Sequence, residues 1–171
     1  MPTSNLSMTI TKIWLDDWNS FDELQSHNAL YGDLQILVDG KLLAGTEEIV
    51  KGETSLGIPL KQFMRLRRYK EPPIKYESEI VELSGYEYTF EYPVVDGPDL
   101  LEISVAQDGE PVPGFERIKF ELQQVQTELR RFRQQMQELL LQHSPKGAAE
   151  RWWEGNLFED FDDSKNTQGK Y

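Results

Sequence analysis

Seven apolar residues, Ile118, Leu122, Val125, Leu129, Phe132, Met136 and Leu139, follow one another at separations of 4, 3, 4, 3, 4 and 3, and Phe115 extends the series backwards. That spacing keeps all of them on one side of an α-helix, which predicts a long amphipathic helix over about 115–143, ended by Pro145 and Gly147. Polar residues (Lys119, Glu121, Gln126, Glu128, Arg133, Gln135) flank the stripe, and Arg117 and Glu121 stand i,i+4 apart as a helical ion pair. An apolar side of this kind either covers a sheet and supplies half a core, or forms a coiled-coil seam with a second copy or a partner helix. Three heptads lie near the lower limit for a seam. Phe120, Leu140 and Leu141 fall off the strict spacing and widen the apolar surface at both ends.

What the helix would cover is written upstream. Residues 8–15, MTITKIWL, are β-branched and apolar and predict a first strand. Ser20 with Glu23 three residues later is a capping-box pattern for a short helix at about 20–27, with Trp18 stapling its entry. In DLQILV, Leu34, Ile36 and Val38 alternate with polar residues and lead into Asp39-Gly40, the dipeptide favoured by a two-residue type I′ hairpin. The stretch TEEIVKGETSLG, with several turn formers and few apolar residues, reads mostly as loop. Pro59 opens a helix over about 59–69, which Pro72 and Pro73 end. Three strands follow, IKYESEIVEL, YEYTFEYPVV and LLEISVA, joined at Ser84-Gly85 and Asp96-Gly97-Pro98. Tyr86, Tyr88, Phe90 and Tyr92 take one face of the middle strand, and Glu87, Thr89 and Glu91 take the other. QDGEPVPG then connects this meander to the long helix.

The expected fold is therefore α+β. An antiparallel sheet of about five or six strands, with a meander, is packed by one long C-terminal amphipathic helix, and a shorter helix accompanies it. At 171 residues one domain is expected, over 1–149, with 150–171 as an acidic, aromatic, partly disordered segment. In that segment Trp152 and Trp153, costly to leave in water, fold back on the domain, whereas Phe158, Glu159, Asp160, Phe161, Asp162 and Asp163 read as a ligand for a partner.

Charge is the second constraint. Thirty acids against eighteen bases give a net charge of -12, a field that repels nucleic acid and anionic lipid and favours a basic partner. The distribution is uneven. Residues 72–110 hold ten acids and one base, and residues 58–71 hold five bases and one acid. Five bases among so many acids are too few for a nucleic-acid footprint. No apolar run approaches the roughly 20 residues of a bilayer helix, and the first residues lack a secretory pattern, so a soluble, cytoplasmic protein is expected.

The residues that usually carry chemistry are sparse. Cysteine is absent, which excludes disulfides, thiolate nucleophiles and sulfur-bound zinc. The two histidines, His27 and His143, each close a predicted helix, where the dipole favours them. The chain contains neither HExxH, nor a Gly-rich phosphate loop, nor a GxSxG elbow. Asp16-Asp17 and Asp22-Glu23 lack the ligand alternation of a calcium loop. No cofactor or metal is expected, and carboxylate-dependent catalysis is the least favoured reading.

The profile is that of a non-catalytic acidic protein-binding module, similar in type to inhibitors of basic proteins such as the bacterial immunity proteins that neutralise nuclease toxins. No sequence motif carries that likeness. The contact is expected at Glu77, Glu79, Glu87 and Glu91 on the meander and at Phe158–Asp163. The competing expectation is an assembly subunit, with a homodimer formed through the long helix.

Overall fold

The structure, a computed structural model, describes residues 2–64, 78–83, 85–91 and 99–157, with the backbone alone for 58, 62, 78–82 and 157. It is α+β, as expected, but its strands divide into two antiparallel sheets.

The first sheet has three strands in the order β1-β2-β3: β1 (Leu6–Leu15), β2 (Leu30–Val38) and β3 (Lys41–Leu42). Asp39 and Gly40 join β2 to β3 with φ of 50° and 81°. These are the two left-handed conformations that an Asp-Gly pair supplies to a type I′ turn. Between β1 and β2 the expected helix shrinks to a single 3-10 turn, Phe21–Glu23. Ser20 Oγ accepts a hydrogen bond from Asp22 N (3.2 Å), and Leu24 turns extended to enter the core, which stops helical growth. Trp18 does not staple this turn and is 83% exposed. After β3 the stretch read as loop holds a one-turn helix, α1 (Glu47–Val50), whose Ile49 is buried. Next comes α2 (Gly57–Met64), two residues earlier than Pro59 suggested; positions 65–69 of the expected helix lie outside the described residues.

The second sheet runs β4-β5-β6-β7, with β8 also on β6: β4 (Ser78–Leu83), β5 (Tyr86–Glu91), β6 (Leu100–Gln107), β7 (Glu110–Pro111) and β8 (Ile118–Glu121). Asp108 and Gly109, at φ of 52° and 80°, make a second hairpin of the Asp-Gly kind inside the stretch that reads as a turn-rich connector.

The helix starts late. Residues 118–121 form strand β8 on β6 rather than the first turn of a helix, so α3 spans Leu122–His143. The sequence IKFE is compatible with both periods, and tertiary partners decide. Ile118 to Glu121 pair with Leu100 to Ile103, and Ser4 N donates to Lys119 O at 2.7 Å. Arg117 has a φ of 51°. A residue in that left-handed region cannot continue a right-handed helix. The expected Arg117–Glu121 helical pair therefore does not exist. Of the heptad positions, Leu122, Val125, Leu129, Phe132 and Met136 are buried, Leu139 is half-buried, and Ile118 sits in β8. These side chains are engaged within the chain's own core, where α3 lies along β1.

A further helix, α4 (Lys146–Leu157), follows Ser144 and carries ordered structure past residue 150. Ala148, Ala149, Trp152 and Trp153 are buried, Trp152 Nε1 donates to Asn28 O (3.1 Å), and Arg133 of α3, itself buried, lies over the Trp153 ring at 5.3 Å. Two further contacts knit the sheets into one core. Phe63 of α2 meets Phe90 edge-on at 5.6 Å, and the Tyr88 hydroxyl donates to Ala44 O at 2.7 Å. Gly45, next to that carbonyl, is obligatory, because a Cβ there would run into the Tyr88 hydroxyl and the Tyr86 ring. No described helix is long and apolar enough to cross a membrane.

Candidate functional site

Strand alternation gives the second sheet two unlike faces. Tyr88 and Phe90 of β5, Leu101, Ile103 and Val105 of β6, and Phe120 of β8 are buried toward the core. The intervening residues face outward and line up across the ladder: Glu91 with Glu102 and Lys119, Thr89 with Ser104, and Glu87 with Ala106 and Pro111. Glu110 and Glu116, both exposed, add carboxylates at the rim.

Glu102 is the unusual member. It belongs to the outward row yet is only 3% exposed, and it lies directly across from Glu91. A like-charge pair in that position opposes strand association. Arg117 relieves the repulsion by pairing with Glu102, its Nε 2.9 Å from Oε1. Lys119, directly across on the other side, adds a second positive charge. Arg117 holds this post in a left-handed backbone conformation while its N–H donates to Ser104 Oγ at 3.1 Å. For a non-glycine residue that conformation costs on the order of 1 kcal/mol or more.

Thr89, Ser104, Ala106, Pro111, Glu116 and Arg117 line a shallow, open groove of about 240 Å³ on the same face. Two hydroxyls, one carboxylate and one guanidinium around an apolar floor suit an extended polypeptide better than a small buried substrate, which needs enclosure. A second shallow depression, of about 330 Å³, runs along α3 between Glu121 and Glu128. There the helix serves β1: Gln124 accepts from Leu6 N (3.0 Å) and donates to Leu6 O (2.8 Å), Glu128 accepts from Met8 N (3.0 Å), and Arg131 donates to Met8 O (2.6 Å). Four helical residues rise about 6 Å and two strand residues about 6.6 Å, so Gln124 and Glu128 match Leu6 and Met8 in step. The Glu128 carboxylate also holds the Arg131 guanidinium, which pushes the Arg131 pKa above its ordinary value.

Of the residues expected to meet a partner, the structure brings Glu87 and Glu91 together on the groove face, Glu87 exposed and Glu91 half-buried. The backbone of Glu79 pairs in register with Phe90. Glu77 and the run Phe158, Glu159, Asp160, Phe161, Asp162 and Asp163 lie outside the described residues, as do Arg65, Arg67, Arg68 and Lys70 of the basic stretch. Sequence reasoning missed Glu102, Ser104 and Arg117 as a unit. Period-2 alternation in LEISVA is the signal that puts Glu102 and Ser104 on one face, but their link to Arg117 depends on β8, which the sequence concealed.

His143 stands exposed at the end of α3, its ring 5.0 Å from Phe21. Among the described residues no group of three or more His, Asp or Glu is placed to hold a metal ion. Compared with protein families, curated proteins and solved structures, the chain matches none.

Proposed function

We propose that the chain is a non-catalytic, acidic protein-binding module of the inhibitor or immunity type, which clasps a basic partner through the outer face of the second sheet. The observation that carries this reading is the acidic groove face itself. Glu87, Glu91, Glu102, Glu110 and Glu116 gather there against Arg117 and Lys119, on a chain of net charge -12. In this reading a lysine or arginine of the partner meets Glu87 and Glu91, and the hydroxyls of Thr89 and Ser104 supply directional hydrogen bonds in the groove. The carboxylates of Phe158–Asp163 form a second contact.

Attraction between exposed charges is screened over about 10 Å at 0.1 M salt, so association should slow steeply as salt rises while dissociation changes less. The test is affinity capture from the native host at low salt, followed by binding kinetics with the captured protein from about 25 to about 500 mM salt. A basic partner whose on-rate drops at least tenfold over that range, and drops again with Glu87→Gln/Glu91→Gln, supports the reading. An acidic partner, or an affinity flat in salt, sinks it. Neutralising Glu159, Asp160, Asp162 and Asp163 separately shows whether the sheet or the following run dominates.

A further inference from the structure

The most exposed large apolar side chain among the described residues is Trp18, at 83%, on the turn that leaves β1. The turn is ordered: Asn19 N donates to Asp16 O (2.9 Å), and Asn28 Nδ2 donates to Asn19 Oδ1 (3.4 Å), which ties it to the loop that also receives the Trp152 indole N–H. An indole carried on a hydrogen-bonded turn and left in water is the residue type that anchors protein contacts, large in area with only two rotors to freeze. Its neighbours say what it would anchor. Asp16 and Asp17 precede it, and neither carboxylate makes a hydrogen bond or ion pair among the described residues. Asp22 and Glu23, both exposed, follow on the 3-10 turn. The same strand already places a cation over an indole, Lys12 Nζ lying 5.4 Å from the Trp14 ring centre. At Trp18 the ring and the negative field are both present, and among the described residues no cation is seated over it.

We infer that the turn Asp16–Asn19 is an anchoring site for an arginine or lysine side chain of a protein partner, the cation lying on the Trp18 indole and facing Asp16 and Asp17. Cation–π attraction and carboxylate pairing act on the same group, so arginine, with its flat guanidinium, is the better occupant. The inference rests on the proposed basic partner but uses a surface separate from the sheet groove.

The test is a titration of the full chain with hexa-arginine peptide, followed by the indole N–H resonance of Trp18 and the backbone amides of Glu87 and Glu91. A neutral glycine-serine peptide of equal length is the control. The expected result is a saturable Trp18 shift with hexa-arginine only, weakened about threefold by Trp18→Ala as read on the Asp17 and Asn19 amides. Asp16→Asn/Asp17→Asn should weaken it further, and Trp18→Phe should restore part of the loss. The melting temperature should not move, since the indole touches so little. A Trp18 resonance indifferent to hexa-arginine, or equally displaced by the neutral peptide, overturns the inference. If Trp18 responds while Glu87 and Glu91 do not, the anchor stands and the sheet-face reading falls; the reverse pattern removes the anchor alone.

Discussion

The two sheets treat their polar groups in opposite ways. In the first, the outer strand β1 has the spare backbone groups of Leu6 and Met8 bonded by Gln124, Glu128 and Arg131 of α3. In the second, Glu87 and Glu91 of β5, with Glu110 and Glu116 at the rim, stand on the outward face that holds the open groove. The first arrangement consumes polarity to fix the helix, and the second leaves it on offer. Stability should therefore reside on the α3–β1 side, and recognition on the groove side.

The strongest way to break that division is to remove a side chain from the helical core. The indole of Trp152 is fully buried. Trp152→Ala should lose about 3–5 kcal/mol in chemical denaturation, with partner binding reduced only to the extent that the chain unfolds. Next, Gln124→Ala strands the N–H and carbonyl of Leu6. It should cost about 1–3 kcal/mol, a stability effect produced by a polar, half-buried residue. Tyr88→Phe strands the Ala44 carbonyl. That change should cost about 1 kcal/mol at neutral pH. Burial, with Glu47 and Tyr86 nearby, pushes the Tyr88 pKa up. Its contribution is thus complete below its ordinary value of 10.0 and is lost as pH climbs from there through the raised folded value. The difference between wild type and Tyr88→Phe should narrow accordingly in alkaline denaturation curves. On the groove side, Glu87→Gln/Glu91→Gln should change stability by no more than about 0.5 kcal/mol, as surface substitutions usually do. Relief of the Glu91–Glu102 repulsion favours a slight gain. A large loss there would erase the contrast. The smallest effect belongs to Asp39, whose pKa is lowered first by the Asn5 N–H and then by Ser4. Its support is present above its ordinary pKa of 3.8 and disappears as pH falls through the lower folded value. Amide exchange at Asn5 should quicken there in wild type and not in Asp39→Asn.

Local signals were legible where one residue pair or one period decides the structure. Asp39-Gly40 dictated the β2–β3 turn, the Tyr88 and Phe90 alternation separated the faces of β5, and the 3-4 spacing from Leu122 to Met136 found the buried side of α3. Reading failed where a partner far along the chain chooses. IKFE fits helix and strand alike until β6 and Ser4 claim its backbone. Register was equally hidden, since nothing local says that the backbone of Glu79 pairs with that of Phe90. Arg133 reads as a polar flank of the helix but is buried against Trp153, a pairing that only the return of α4 creates. Trp18 reads as a staple because hydrophobicity alone does not tell an inward residue from an outward one.

The Gln124, Glu128 and Arg131 contacts also bear on how copies of this chain behave when crowded. A bare outermost strand is a template on which a neighbour's backbone can lay itself down, and repetition of that step grows fibres. Here the donors and acceptors of Leu6 and Met8 are already occupied by side chains that come from the same molecule and cannot be passed along. That stretch of β1 is closed to polymerisation from within, and a concentrated solution of the folded chain should stay free of thioflavin-positive growth seeded there.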